Sequence, residues 1–305
     1  MEKAPVILFA YKRPEHTLKT LRALQTNVYA DESSLIVYID GPKPDASETD
    51  KALIRQVGEV VRSGKWCRDI QIIERETNYG LAKSVSGGVT EVLERYGKAI
   101  IIEDDIVTGK YFLEFMNRAL EKYEHQQEVA CISGYIYPVK GKLPEAFFIK
   151  GSDCWGWATW SRAWDMKNWK AEDLLQKIES RQLSAEFDFG NTYPYVQMLK
   201  DRIEGRNNSW AILWYAAAFL NNQLCLYPGK SVANNIGIDG SGTHSGVSDA
   251  WNNTELDSRI NLDHVPVKED LEAKKVIADY FKTLNPVIRV SLLRRVLRKL
   301  KSLIR

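Results

Sequence analysis

The 305-residue chain is short of several things that would have assigned it quickly. Its four cysteines, Cys67, Cys131, Cys154 and Cys225, stand far apart and form no CxxC pair, which argues against a zinc site and suits a reducing compartment. No stretch of eighteen apolar residues exists, so no segment reads as a membrane span. Neither GxGxxG nor GxxxxGK[ST] occurs, which weakens the case for a dinucleotide enzyme or a Walker nucleotidase. The opening "MEKAPVILFAY" is expected to be a strand rather than a leader, and a cytoplasmic protein is the expectation. Histidine is scarce, at four residues. Tryptophan is not: five of nine (Trp155, Trp157, Trp160, Trp164 and Trp169) fall between positions 155 and 169. The net charge of +2 hides an asymmetry, because residues 286–305 hold seven Arg or Lys and no acid. The remainder is net acidic, and so local a basic patch is not the footprint of a nucleic-acid-binding surface.

Over the first 135 residues strand and helix signals alternate. Apolar runs at 5–11, 34–41, 69–75, 99–102 and 129–135 are separated by helical spacings at 14–24, 46–62, 81–96 and 110–126. "AIII" at 99–102 is apolar at every position, as a central parallel strand covered on both faces should be. The pattern predicts an α/β fold: a Rossmann-like, mostly parallel sheet with helices on both faces. From 136 the chain turns aromatic and irregular, with helices expected at 171–182, 194–204 and 210–221 and a short strand at 224–228. That reads as an α+β half packed on the first, giving units 1–135, 136–285 and a separate helix over 286–305.

In open parallel sheets, ligands bind beyond the carboxyl ends of the strands. The notable polar residues all fall there: Lys12 and Arg13 after the first strand, Asp40 after the second, Asn78 and Gly80 after the third, and Glu103, Asp104 and Asp105 after the fourth. Three carboxylates following an apolar strand are suited to Mg²⁺ or Mn²⁺, although a solvated turn also favours Asp. In "TNYGLAKS" the residues Asn78 and Gly80 open a helix whose free N–H groups, with Lys83 in its first turn, could face a phosphate. A plain helix cap with an exposed lysine is the alternative. Asp40 could accept from a ribose hydroxyl or a base N–H, or be an ordinary turn Asp before Gly-Pro.

Taken in order, "PVILFAYKRPEHTLKTLRAL", "VYIDG", "NYGLAKS" and "IIIEDDIV" resemble the glycosyltransferases of the GT-A fold, in particular the group joining family 2 enzymes to N-acetylglucosaminyltransferase I. The resemblance covers residues 5–107 and implies a metal-dependent glycosyltransferase with a nucleotide-sugar donor, UDP-linked for preference. It assigns the uridine to Lys12, Arg13 and Asp40, the diphosphate to Asn78, Gly80 and Lys83, and the DXD-type motif to Glu103-Asp104-Asp105. Asp105 would hold the metal, with Asp104 on ribose or metal-bound water. His244, in the glycine-rich "NNIGIDGSGTHSG", matches a further metal ligand, and Trp155, Trp157 and Trp210 the aromatic acceptor side; an ordinary loop histidine and a tryptophan cluster that belongs to the core are the alternatives. The resemblance breaks down before the helix near Trp210, where inverting members place an acidic base and this chain reads Asn208-Ser209. An amide cannot take a proton as a carboxylate does, which leaves Asp153, Glu204 and Asp239 as candidates, Asp153 first.

The final segment sets Leu293, Val296, Leu297, Leu300, Leu303 and Ile304 on one helical face flanked by basic residues. Such a helix suits an anionic membrane surface, and a lipid-linked glycan or glycolipid would be the matching acceptor, as in surface polysaccharide assembly on the inner face of the membrane. Two other readings stay open: a sugar nucleotidyltransferase, and a GT-A-like glycan-binding module that has lost its chemistry.

Overall fold

Five apolar residues, VILFA, start the fold as β1 (Val6–Ala10), and all five are buried. A computed structural model of the chain describes residues 2–166, 169–240, 249–253 and 255–284. After β1 come α1 (Pro14–Gln25), β2 (Ser34–Ile39), α2 (Glu48–Arg62), β3 (Asp69–Glu74), α3 (Leu81–Tyr96) and β4 (Lys98–Glu103). The chain continues through β5 (Ile106–Thr108), α4 (Phe112–Lys122), β6 (Val129–Ser133), β7 (Ala146–Lys150) and β8 (Trp157–Trp160). The remainder is α5 (Ala171–Ser180), α6 (Ser184–Phe187), α7 (Tyr195–Ile203), α8 (Ala211–Leu220), β9 (Leu224–Pro228), β10 (Ala233–Asn235) and α9 (Leu271–Leu284).

Eight strands form one sheet in the order β3-β2-β1-β4-β8-β6-β9-β7. β1 pairs in parallel with both β2 and β4, so the chain winds outward through β2 and β3 and then returns to the other side of β1. That reversal creates a crevice between the ends of β1 and β4, the place where open α/β sheets bind ligands. Side chains alternate across each strand. Val6, Leu8, Ile100 and Ile102 face one layer with α1, α2 and α4, while Ile7, Phe9, Ala99 and Ile101 face α3, α5, α7, α8 and α9. The protein is thus an α/β fold with a mostly parallel sheet covered on both faces.

β8 is inserted antiparallel between β4 and β6. β8 is the "WATW" segment, buried at all four positions. The tryptophans therefore belong mainly to the core, which corrects the expectation for Trp157 and Trp210 as acceptor-binding residues. Trp157 is 0% and Trp210 5% exposed. The Trp157 ring lies 4.4 Å from Trp214, 5.5 Å from Trp164 and 5.6 Å from Trp210, centroid to centroid. An indole enclosed by other indoles has no face left for a sugar. A strand buried on both sides and an aromatic ligand platform have the same composition, so residue type could not separate them. Trp155 is different: it is only partly buried, edge-on to Tyr135 at 4.7 Å and to Trp251 at 6.0 Å. Among the described residues no helix is long and apolar enough to cross a membrane.

If Trp157 is a core residue, Trp157→Ala should lower unfolding free energy by about 3–5 kcal/mol. A solvent-facing platform residue would cost roughly 0.5 kcal/mol or less. Urea titration followed by circular dichroism separates the two.

Candidate active site

Position 13 sits directly after β1, where Pro14 starts α1 and leaves Arg13 as the residue before the first turn. Its side chain crosses the crevice to the end of β4. Nη2 donates to Asp104 Oδ1 and, at 2.8 Å, to Asp105 Oδ2. Both aspartates are buried, at 4% and 8% exposure. Backbone contacts hold them from two sides. Thr20 Oγ1 on α1 donates to the Asp104 carbonyl at 2.9 Å, and the Ile236 N–H donates to the Asp105 carbonyl at 2.8 Å. β10 pairs antiparallel with β5 immediately after the acids, and this brings Gly237 over them. A Cβ on Gly237 would lie 2.1 Å from Asp105 Oδ2 and 2.9 Å from Arg13 Nη1, so any larger residue there would have to push the paired side chains aside.

The three acids do not carry three full charges. Glu103, partly buried at the end of β4, is pushed up to about 8 by burial and then by the charges of Asp105 and Asp104, with Arg13 pulling the other way. Near neutral pH it keeps its proton. Burial raises Asp104 to about 6, opposed by the adjacent Arg13. Arg13 itself is held more firmly protonated by the two aspartates, although burial works against it. A protonated Glu103 and the Arg13 guanidinium relieve much of the repulsion that the sequence "EDD" presents.

The pairing leaves two loose ends. Asp105 Oδ1 and Arg13 Nη1 are both buried without a hydrogen-bond partner. An unused, buried carboxylate oxygen beside a second carboxylate is a hard-oxygen donor set that fits Mg²⁺ or Mn²⁺, which need only one or two protein carboxylates when phosphates and waters complete the shell. Among the described residues no group of three or more His, Cys, Asp or Glu is assembled as a metal cage. His244, expected as another ligand, lies outside the described residues. The segment that leads to it passes Asp105 at Gly237 and reaches Asp239, which pairs with His16 of α1 at 3.1 Å.

Asp40, 6% exposed at the end of β2, is fully engaged. Oδ1 accepts from the N–H groups of Gly41 at 3.1 Å and Tyr79 at 2.8 Å. Oδ2 accepts from Asn78 Nδ2 at 2.9 Å and the Gly80 N–H at 3.0 Å. The expectation of free backbone N–H groups at Asn78–Gly80 is therefore corrected at all three positions: the Asn78 N–H donates to the Pro42 carbonyl at 3.1 Å, and the Tyr79 and Gly80 amides are turned inward onto Asp40. An acidic side chain one strand away already accepts from the amides at the start of α3. Gly80 has φ +74°, a conformation few other residues adopt, and this permits the inward turn. Lys83 is exposed, and its Nζ lies 4.6 Å from the Tyr79 ring centroid, with Arg75 on the same ring at 4.1 Å. Lys12 bonds Asp50 at 2.7 Å.

The three candidate bases occupy different surroundings. Glu204 is exposed at the end of α7 and pairs with Arg206. Asp239 is tied to His16. Asp153, in the β7–β8 connection, accepts from the Cys154 N–H at 2.6 Å, the Trp155 N–H at 3.2 Å and the Tyr227 hydroxyl at 3.1 Å. Burial raises it to about 6 against those three donors. The neighbouring Cys154 thiol is pushed far up, by burial first and by the charge of Asp153 next. The structure thus brings Arg13, Asp104, Asp105 and Glu103 together, ties Asp153 to Tyr227 and two backbone N–H groups, and leaves Glu204 at the surface. The glycine-rich 234–246 loop is expected to approach something closely, and Gly237 does so at Asp105. Sequence reading missed Tyr227 and the bridging of the aspartates by Arg13, because a lone tyrosine or arginine carries no signal of which distant residue it will meet.

No family model matches the chain, and no curated protein matches it either. Among solved structures it is similar to TarS from S. aureus, with a TM-score of 0.39 and 11% identity over 76% of this chain. It is also similar to mouse xyloside xylosyltransferase 1 in its apo form, with a TM-score of 0.35 and 11% identity over 73% of this chain. The chain spans 36% of TarS and 84% of the mouse enzyme.

Two outcomes follow from these contacts. Asp40→Asn replaces an acceptor with a donor facing Asn78 and Gly80, and should cost roughly 1–3 kcal/mol with faster amide exchange at Tyr79 and Gly80. Asp153 binds its proton more tightly folded than unfolded, so its contribution to stability is greatest below its ordinary 3.8 and is lost as pH rises to about 6. Asp153→Asn should flatten the fall in stability across that window, measured by denaturant titration at stepped pH.

Proposed function

We propose that the chain is a metal-dependent GT-A glycosyltransferase that moves a hexosyl or N-acetylhexosaminyl group from a nucleotide-diphosphate donor, UDP-linked for preference, to an acceptor hydroxyl. One observation carries this reading. Arg13 from β1 and Asp104-Asp105 from β4 meet across the crevice where the strand order reverses, with an unpartnered buried carboxylate oxygen among them. That is the place and the chemistry a diphosphate with its cation requires.

Asp105, with Asp104 beside it, would hold Mn²⁺ or Mg²⁺, which when bound supplies Lewis-acid neutralisation of the leaving diphosphate. The chain's own groups do the rest. Lys83, exposed at the start of α3, adds positive charge on the donor side without an amide cradle at Tyr79 and Gly80, which Asp40 already holds. Asp40 acts by fixing that loop. Asp153 is the carboxylate we place on the acceptor side: ionised above about 6, it can accept the proton of an attacking hydroxyl near neutral pH. Tyr227 and two backbone N–H groups orient it. Half-buried Trp155, edge-on to Tyr135 and Trp251, offers the aromatic surface on which a sugar ring packs. A lipid-linked glycan as acceptor, and a peripheral place on the inner face of the cell membrane, rest on the basic amphipathic pattern of residues 286–305, which lie outside the described residues.

The test is transfer or slow hydrolysis across a panel of nucleotide sugars with Mn²⁺. We expect activity with a UDP-sugar that is lost on chelation, reduced about 100-fold or more in Asp105→Ala, and reduced about 100-fold or more in Asp153→Asn. Absence of nucleotide-sugar binding, with Asp105→Ala unchanged from wild type, would refute the reading. Binding without turnover would mark a glycan-binding relative instead.

A further inference from the structure

Two carboxylates buried side by side need a cation, and in this structure the cation is Arg13. Its Nη2 serves both Asp104 and Asp105 at once. Gly237 closes over the same spot so tightly that even a methyl group would collide with Asp105 Oδ2 and approach Arg13 Nη1. A guanidinium and a dication would be competing for the same oxygens under the same cover, and like charges in that space repel strongly. The pairing is also incomplete. Asp105 Oδ1 and Arg13 Nη1 both lack partners, so the aspartate retains a lone pair by which an entering ion could begin to bind. Arg13 has a way out, since its side chain is 20% exposed while those of Asp104 and Asp105 are 6% and 11% exposed.

We propose that Arg13 is the resident counter-ion of the Asp104–Asp105 pair and gives up that place when a divalent cation binds, so that metal loading and release of Arg13 are a single exchange. This rests on the reading of the crevice as a metal–diphosphate site. It adds that metal affinity is set by an internal competitor, and that the freed guanidinium is delivered to the mouth of the same crevice as the metal arrives. The acid pair is then neutralised in both states, and the cost of burying it is met before any ligand is present.

The exchange makes a prediction opposite to that of a purely supporting role. If Arg13 only props the aspartates in place, removing it scatters them and weakens metal binding. If it competes, removing it strengthens binding. The experiment titrates Mn²⁺ alone into the full chain, following free Mn²⁺ by electron paramagnetic resonance, for wild type, R13Q, R13K and D105N. We expect R13Q to bind Mn²⁺ roughly tenfold more tightly than wild type, within the usual range for coupled sites. R13K should fall between them, because a point charge cannot hold two carboxylates as a fork does. D105N should lose binding. Thermal unfolding in the same samples guards against a folding defect: Mn²⁺ should raise the midpoint of R13Q more than that of wild type, and R13K decides the matter if R13Q does not fold. Mn²⁺ affinity that is unchanged or weaker in R13Q and R13K, or no Mn²⁺ binding in any of the proteins, overturns the exchange. UDP binding by calorimetry, run in parallel, tells the two claims apart. UDP bound by wild type with the exchange refuted leaves the glycosyltransferase reading standing; UDP not bound removes that reading as well.

Discussion

A guanidinium held between two buried aspartates joins the two strand ends on which this fold turns. β1 and β4 are neighbours in space but separated in the chain by two βα units, and the reversal of strand order between them opens a cleft lined by polar loops. Without a cation the end of β4 would present two buried like charges, a situation proteins avoid because desolvation is not repaid. Arg13 repays it, and its location is dictated locally: Pro14 starts α1 and Arg13 is the last residue before it. Thr20 of the same helix then fixes the Asp104 backbone, so one helix supplies both the charge and the geometry.

Around that contact the electrostatics divide the acids into separate roles. Glu103 stands on the α3 face, where burial and its neighbours hold it protonated near neutral pH. Asp104 and Asp105 are bridged by Arg13. Asp40, a strand away, is spent on four hydrogen-bond donors in its own turn and in the loop that begins α3. A cleft that looks uniformly acidic in sequence is therefore close to balanced in the folded chain. Among the described residues, a fully buried carboxylate oxygen without a hydrogen-bond partner is Oδ1 of Asp105.

Much of the frame was legible from residue order. Apolar runs such as "AIII" and "VILFA" could hardly be anything but covered strands, and the polar residues that follow them had to lie at the ligand-binding edge. What was not legible had a common cause, namely dependence on contacts distant in sequence. Trp157 and Trp210 could have been a platform or a core, and the insertion of β8 beside β4 decided for the core. The amides of Tyr79 and Gly80 looked available until Asp40 was found facing them. Arg13 could be read as a surface or ligand-binding charge because the sequence cannot say that positions 13, 104 and 237 share one small volume. An amide and a hydroxyl, Asn208 and Ser209, stand where the resemblance implies an acid, and the sequence could not show that Asp153 would meet Tyr227 across two strands.

The most direct test of this description is a crystal structure with UDP and Mn²⁺, the ion located by its anomalous scattering. We expect the Mn²⁺ peak on Asp105, the diphosphate between it and the start of α3, and Arg13 no longer bridging the two aspartates. A nucleotide bound elsewhere, or an ion seated away from Asp105 with the Arg13 bridge intact, would contradict it.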